Sequence, residues 1–135
     1  MSNNTPSNEF VTDTMALILW LERRKLPQTI KTVFQRMEQG NAVIYVPTMT
    51  LAEILYLSEK QRISLTIEDT IRYIENQSSC KEYAMNIAVI QATAEITDIP
   101  ELHDRLIAAT ARVLDAVLMT NDPVIQISGF VKTVW

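Results

Sequence analysis

The sequence predicts an α/β fold in which helices cover both faces of a parallel β-sheet. Short runs rich in β-branched and aromatic residues alternate with longer stretches whose apolar residues recur at helical spacing. No internal repeat, low-complexity tract or linker interrupts this alternation over the 135 residues. We therefore expect one domain, residues 9–135, built as a three-layer α/β/α sandwich around a parallel sheet of about five strands.

The individual elements follow from the apolar pattern and its breaks. Strands are predicted at 10–12, 42–46, 83–87, 117–119 and 131–134. Helices are predicted at 15–22, 29–39, 48–60, 66–76, 89–95 and 101–114. Pro27 and Gly40-Asn41 separate early elements, and Thr66 is the expected N-cap of the fourth helix. Asp98-x-x-Glu101 is the start signal of the last helix.

Several residue types are too scarce for common catalytic sites. Gly40 and Gly129 are the only glycines, so the dinucleotide fingerprint and the phosphate-binding P-loop are excluded. His103 is the only histidine, which excludes the two-histidine zinc motif and makes a Ser-His-Asp triad improbable. Because Cys80 is the only cysteine, no disulfide framework can form, and a reducing, cytoplasmic setting is expected.

The start of the chain and its hydropathy do not suggest a membrane protein. Residues 1–8 are polar and uncharged, which predicts a disordered tail and no signal peptide. No apolar run reaches the roughly 20 residues that cross a bilayer. The net charge of −4 argues mildly against a nucleic-acid partner. That objection weakens if several acids share divalent cations, so the charge leaves the partner open.

Acidic residues follow the predicted strands. Asp13 comes directly after the first strand, and Asp122 follows the strand that ends near Thr120. Glu53 lies in the early turns of the helix after the second strand. Ligands of open parallel sheets bind beyond the carboxyl ends of the strands, so these three acids are expected at one edge. Asp104 joins them if its helix begins on that side.

Two of these acids stand among apolar residues. Between residues 49 and 57 only Thr50 and Glu53 are polar, which predicts a buried helix and a partly buried Glu53. Asp104 shares a helical face with apolar residues three, four and seven positions on. Clustered buried carboxylates repel each other, and Mg²⁺ or Mn²⁺ removes that cost. The set therefore predicts metal-assisted hydrolysis, in which bound ions lower the pKa of a water.

Ordinary interpretations of these residues stay open. Asp13 is a common N-cap type, Asp104 suits a helix dipole, and Asp122 before Pro123 suits a turn. Glu53 could be a half-exposed surface residue. Ordinary roles are favoured for other conspicuous residues. These are helix starts for Asp98 and Glu101, a solvated or hydrogen-bonding role for His103, a solvated helix end for Arg23-Arg24-Lys25, and core or dimer surface for Trp20, Tyr56 and Trp135.

Four motifs resemble those of the PIN-domain nucleases, in particular the toxins of VapBC-type toxin–antitoxin pairs. They occur in the family's order from about residue 9 to the end. The motifs are Thr12-Asp13-Thr14 before Ala16-Leu17-Ile18-Leu19-Trp20, Val46-Pro47-Thr48 with Leu51-Ala52-Glu53-Ile54, His103-Asp104-Arg105-Leu106-Ile107-Ala108-Ala109-Thr110-Ala111, and Leu118-Met119-Thr120-Asn121-Asp122. Met15 departs from the pattern, since related sequences often carry histidine there.

The resemblance implies a PIN-like fold and Mg²⁺- or Mn²⁺-dependent endoribonuclease activity. It also implies an RNA substrate, a homodimer and inhibition by a small cognate antitoxin. Thr120 and Thr14 carry over as accessory residues, and Thr120 could orient a water or a metal ligand. The catalytic, metal-binding acids carry over onto Asp13, Glu53, Asp104 and Asp122.

Two other functions remain to be considered. The first is a catalytically degenerate PIN fold that binds RNA or protein, although retention of all four acids speaks against it. The second is phosphoryl chemistry of the receiver-domain or haloacid-phosphatase kind, which also places aspartates at strand ends. Those sites need a lysine near the acids, and no lysine follows the strands in this sequence.

Overall fold

The computed structural model describes residues 8–135, so the tail predicted at residues 1–8 lies outside the described residues except for Asn8. None of the helices in this part of the chain has the length and apolar character needed to cross a membrane. The elements, in chain order, are β1 (Glu9–Thr12), α1 (Thr14–Leu21), α2 (Gln28–Glu38), β2 (Val43–Pro47), α3 (Thr48–Glu59), α4 (Ile67–Glu75), β3 (Cys80–Tyr83), α5 (Ile87–Glu95), α6 (Leu102–Leu114), β4 (Val117–Met119), α7 (Pro123–Gln126) and β5 (Thr133–Val134).

The five strands form one parallel sheet in the order β3-β2-β1-β4-β5. The chain moves outward from β1 to β2 and β3, then returns to the other side of β1 to form β4 and β5. The direction of winding therefore reverses between β1 and β4. In open parallel sheets this reversal opens a crevice at the carboxyl ends of the two strands. The predicted five-stranded parallel sheet is confirmed.

Two apolar cores lie on opposite faces of the sheet. Phe10 and Ile44 point into the core that contains α1 and α2, and partly buried residues of α3 and α4 pack against it. Val11 and Leu118 point into the other core, with α5 and α6. Because successive strand residues face opposite sides, each buried strand supplies both cores. The predicted three-layer sandwich is thus confirmed.

The strand predicted at 83–87 is wrong. The third strand is Cys80–Tyr83, and α5 already begins at Ile87. The cause is Asn86, whose side chain accepts a hydrogen bond from the Val89 amide at 3.0 Å and so caps the helix. The last strand is also shorter than predicted, and α7 was not predicted. The other predicted elements are found within two residues of their expected ends.

The expectation that α3 is buried on nearly all sides is also wrong. Only Thr50 and Ile54 of this helix are buried, whereas Leu55 and Tyr56 are 41% and 51% exposed. The helix packs on the sheet through one face only. Its apolar composition therefore has a second cause, which lies in the cavity described next. Glu53 is partly buried as predicted, with 29% of its side chain exposed.

Candidate active site

A cavity of about 690 Å³ opens at the crevice between the carboxyl ends of β1 and β4. Residues that follow these two strands form part of its wall, and α3 and α6 supply most of the rest. The four acids singled out in the sequence all line this one cavity: Asp13, Glu53, Asp104 and Asp122. The helix carrying Asp104 therefore begins on the same side of the sheet as the strand ends.

Asp13 joins β1 to α1. Its Oδ1 accepts a hydrogen bond from the Ala16 amide at 2.8 Å, so the side chain is also the N-cap of α1. Burial raises the pKa of this carboxyl to about 6, although hydrogen bonds from Ala16 and Thr120 lower it. The negative charges of Glu53 and Asp122 add to the rise. Asp13 thus combines the capping role with a place in the acidic cavity.

Glu53 is held from across the cavity by α1. The Thr14 hydroxyl donates a hydrogen bond to Glu53 Oε1. The other carboxylate oxygen, Oε2, lies 3.7 Å from Nδ1 of His103, which is at the same distance from Glu101 Oε2. The half-exposed His103 therefore lies near two acids without hydrogen-bonding to either of them, and one of the two, Glu53, lines the cavity.

Asp104 lies in the first turn of α6, where Glu101 is the N-cap. Glu101 accepts a hydrogen bond from the Asp104 amide at 2.9 Å. Within residues 8–135 no hydrogen bond reaches the Asp104 carboxylate itself. Its pKa is raised to about 6, first by burial and then by neighbouring negative charges. Those charges are, in decreasing effect, Asp122, Glu101, Glu53 and Asp13.

Asp122 lines the cavity in the segment that follows β4, and Thr120 lies two residues before it. Asp122 Oδ1 accepts from the Val124 amide at 2.9 Å and caps α7, so its expected turn role is real as well. Thr120 is fully buried. Its hydroxyl accepts from the Asp122 amide at 3.2 Å and hydrogen-bonds to the Asp13 carboxylate. The threonine thereby links the segments after β1 and β4.

With this geometry in hand, comparison with known proteins decides the family. The family model for the PIN domain matches residues 10–127. The chain belongs to the PIN-domain family. A comparison with curated protein sequences gives no match.

Three solved structures illustrate what this PIN domain resembles. VapBC2 from Rickettsia felis, bound to a promoter DNA fragment, superposes with a TM-score of 0.70 at 15% identity, covering 94% of this chain and 98% of that one. DNA-bound VapBC from Salmonella typhimurium superposes with a TM-score of 0.67 at 20% identity, covering 93% of this chain and 96% of that one. FitAcB from Neisseria gonorrhoeae superposes with a TM-score of 0.62 at 17% identity, with the same coverage of 93% of this chain and 96% of that one. At these identities the likeness establishes a shared fold.

The chemistry of the PIN-domain cavity suits a hard cation, but its side chains are not yet arranged as a metal site. Within residues 8–135, no three His, Cys, Asp or Glu side chains stand close enough together to hold a metal ion as they are. Asp13 and Asp122 each use Oδ1 as a helix cap, and the Asp13 carboxylate also accepts a hydrogen bond from Thr120. The fit to a cation therefore rests on the chemistry of the cavity, because carboxylate oxygens are the ligands that Mg²⁺ prefers.

Sequence reasoning missed the apolar part of the cavity wall. Met49, Ala52, Tyr56 and Leu57 of α3 line it together with Glu53. Their spacing of three and four residues places them on one helix face, a signal that was present in the sequence. Asn121, between Thr120 and Asp122, also lines the cavity.

One residue expected at a helix start has another role. Asp98 accepts hydrogen bonds from the Ser128 hydroxyl at 2.8 Å and the Gly129 amide at 2.9 Å. It therefore fastens the loop after α7 to the segment before α6, while Glu101 alone caps α6. The sequence signal Asp98-x-x-Glu101 located the helix start correctly but gave the first acid the wrong task.

Proposed function

We propose that this PIN domain is a divalent-metal-dependent endoribonuclease that hydrolyses RNA phosphodiesters with water. The observation that carries the proposal is the placement of four carboxylates around one cavity at the switch point of the sheet. The family consists in general of nucleases, which supports the reaction class. Burial, and then the negative charges of the neighbouring acids, raise the pKa values of Asp13 and Asp104, and a bound cation would offset both costs.

Each side chain has a role in this proposal. The ion, Mg²⁺ or Mn²⁺, would be held by the four carboxylates of Asp13, Glu53, Asp104 and Asp122. It would lower the pKa of a bound water and neutralise charge on the phosphoryl group. Thr14 orients Glu53, and Thr120 orients Asp13 through its hydroxyl. The capping bonds of Asp13 and Asp122 keep these carboxylates at the cavity wall.

The biological role we propose is that of the toxin in a VapBC-type toxin–antitoxin pair. The support comes from the solved complexes with the same fold, which are toxin–antitoxin assemblies. A small antitoxin would inhibit the enzyme by placing its tail in the acidic cavity. A cytoplasmic location belongs to the proposal, because an RNA substrate and the buried free thiol of Cys80 suit a reducing compartment.

We also propose a homodimer that covers the exposed face of α5. Ile87 and Ile90 are 76% and 50% exposed, and residues 83–94 contain no charged side chain. An exposed apolar stretch of this kind is typical of a protein interface. Ile87→Glu is expected to shift the protein from dimer to monomer in sedimentation velocity, whereas Ile71→Glu, on α4, leaves the dimer intact. A monomeric wild type, or a dimer unaffected by Ile87→Glu, contradicts this part.

The direct test is cleavage of a labelled RNA by the purified protein. Wild type with Mg²⁺ or Mn²⁺ is expected to cut it, and a chelator or Asp104→Asn is expected to lower the rate by at least about 100-fold. The matched control is Asp115→Asn, because Asp115 lies at the end of α6 outside the cavity and asparagine tolerates its left-handed backbone. Adding the co-purified antitoxin is expected to stop cleavage.

Other outcomes distinguish the rival functions. RNA that binds without being cut, with equal affinity for wild type and Asp104→Asn, would indicate a degenerate binding module. Hydrolysis of a small phosphoester without RNA cleavage would indicate a phosphatase. No lysine lines the cavity among the described residues, which weighs against that second alternative.

A further inference from the structure

One face of α3 continues from the acidic part of the cavity into an aromatic part. Met49, Ala52, Glu53 and Tyr56 share this face, and Glu53 is its only charged member. Tyr56 follows Glu53 by three residues, so the two side chains leave the helix on the same face, about one turn or roughly 5 Å apart along the axis. An aromatic ring thus stands beside the proposed reaction site.

The Tyr56 ring is available to a ligand. The residue is 51% exposed, although it lines the cavity. Within residues 8–135 its hydroxyl makes no hydrogen bond. The ammonium nitrogen of Lys60 lies 5.7 Å from the ring centroid. A ring and a cation therefore stand together at the mouth of a cavity whose inner wall is acidic.

We propose that Tyr56 stacks on an unpaired nucleobase of the RNA, adjacent to the phosphodiester at the carboxylates, while Lys60 faces the RNA backbone. This inference rests on the proposed ribonuclease function and adds a base-binding position, formed by Tyr56, beside the carboxylates. A phosphodiester alone would leave most of a 690 Å³ cavity unfilled, and its apolar wall offers a phosphate no hydrogen bond.

A nucleobase matches both features of this wall. Its flat apolar face stacks on an aromatic ring, and such stacking tolerates any base because every base has a π-face. The next phosphate needs a cation, which Lys60 supplies, whereas the acidic inner wall repels it. The proposed dimer contact on α5 is a separate surface, so a second copy of the chain is not required to explain Tyr56.

The test is a comparison of enzyme variants on matched oligoribonucleotides. Single-stranded substrates carry one abasic position, moved step by step past the cleavage site, and kcat/KM is measured for each. Tyr56→Ala is expected to lower kcat/KM on the intact substrate by about tenfold, since a base–aromatic stack contributes about 1–3 kcal/mol. With the abasic site at one particular position, the kcat/KM of wild type is expected to fall by a similar factor relative to the intact substrate. The kcat/KM of Tyr56→Ala is expected to fall by less than about threefold at that position.

Three controls make the comparison specific. Tyr56→Phe keeps the ring and is expected to retain the wild-type kcat/KM. Ile71→Ala alters an exposed apolar residue outside the cavity and is also expected to retain it. Sedimentation velocity on Tyr56→Ala is expected to show the wild-type oligomeric state. A change of oligomeric state, equal losses for Phe and Ala, or equal sensitivity of wild type and Tyr56→Ala to every abasic position overturns the inference.

Failure of the ribonuclease proposal gives a different result. If wild type cuts none of the substrates, the same oligonucleotides are used for binding, with 2-aminopurine fluorescence as the readout of stacking. Quenching that disappears in Tyr56→Ala then supports the base platform on a non-hydrolytic protein. Binding without quenching, or no binding at all, overturns it.

Discussion

Asp13 meets two requirements at the end of β1, and both follow from its place in the chain. As the residue before α1 it accepts a hydrogen bond from a free amide of that helix, and as the residue directly after a central strand it faces the crevice beside β4. Connectivity alone predicted this position, as it did for Asp122.

The raised pKa of Asp13 leads to a prediction about stability. The folded-state pKa of about 6 exceeds the ordinary value of 3.8, so above pH 6 the charged form costs the folded state up to about 3 kcal/mol. This cost disappears as the pH falls from about 6 to 4, where the folded protein binds the proton. Asp13→Asn, which keeps a capping oxygen, is therefore expected to raise the free energy of unfolding at pH 7.5 but not at pH 4.

Urea unfolding at the two pH values measures the difference in free energy of unfolding between Asp13→Asn and wild type. A chelator is present because bound metal would lower the pKa of the Asp13 carboxyl. The matched control is Asp98→Asn. The hydrogen bond from the Gly129 amide, followed by that from Ser128, lowers the pKa of Asp98, so this variant is expected to be less stable than wild type at pH 7.5. An Asp13→Asn protein less stable than wild type at pH 7.5 would contradict the burial of a repelled charge.

The contact between Thr14 and Glu53 marks the limit of sequence reasoning at this scale. These residues are 39 positions apart, and their hydrogen bond depends on how α1 and α3 pack and on two side-chain rotamers. Residue spacing carries no information on either, which is why Thr14 entered only through the family resemblance.

At the scale of elements, Glu22 at the end of α1 ties that helix to the loop between α3 and α4. One oxygen, Oε2, accepts from the Ser64 amide, the Ser64 hydroxyl and the Leu65 amide, at 2.8, 2.9 and 2.9 Å. Burial opposes ionisation, but the hydrogen bonds from Leu65 and Ser64 outweigh it and lower the Glu22 pKa. Because Thr14 and Glu53 lie on α1 and α3, this tie helps to set the spacing of the two cavity walls.

Removing the tie has a measurable cost. Glu22→Ala is expected to lower the free energy of unfolding by about 1–3 kcal/mol, since it leaves backbone amides without a charged acceptor. Glu75→Ala removes an exposed acid of α4 and is expected to change stability by less than about 0.5 kcal/mol. Urea unfolding of both variants at pH 7.5 provides the comparison, and an equal effect of the two changes would show that the tie is immaterial.

Element boundaries were predictable where caps and breakers stand in the sequence. Thr66 caps α4 as expected, through a hydrogen bond from the Asp69 amide. The error at β3 arose because the apolar run after Tyr83 contains Ile87, which a capping Asn86 assigns to a helix. The exposed positions of α3 could not be predicted, because an apolar helix face looks alike in sequence whether it meets a core or a cavity.

At the scale of the molecule, the order of the strands concentrates negative charge at one place. The reversal between β1 and β4 brings the segments with Asp13 and Asp122 together, and helices from both layers add Glu53 and Asp104. The parallel sheet and its switch point were predictable from the alternation of elements. How far the four carboxylates stand apart depends on packing and rotamers, and in the described conformation they do not yet form a metal site.

The most direct measurement of the central claim is thermal unfolding with and without Mn²⁺. If the four carboxylates converge on a cation, saturating Mn²⁺ raises the wild-type Tm by about 5 °C or more, because a ligand that binds only the folded state stabilises it. Asp104→Asn is expected to lose most of this rise and Asp115→Asn to keep it. A Tm rise that is absent from wild type, or that is equal in wild type and Asp104→Asn, would contradict the account.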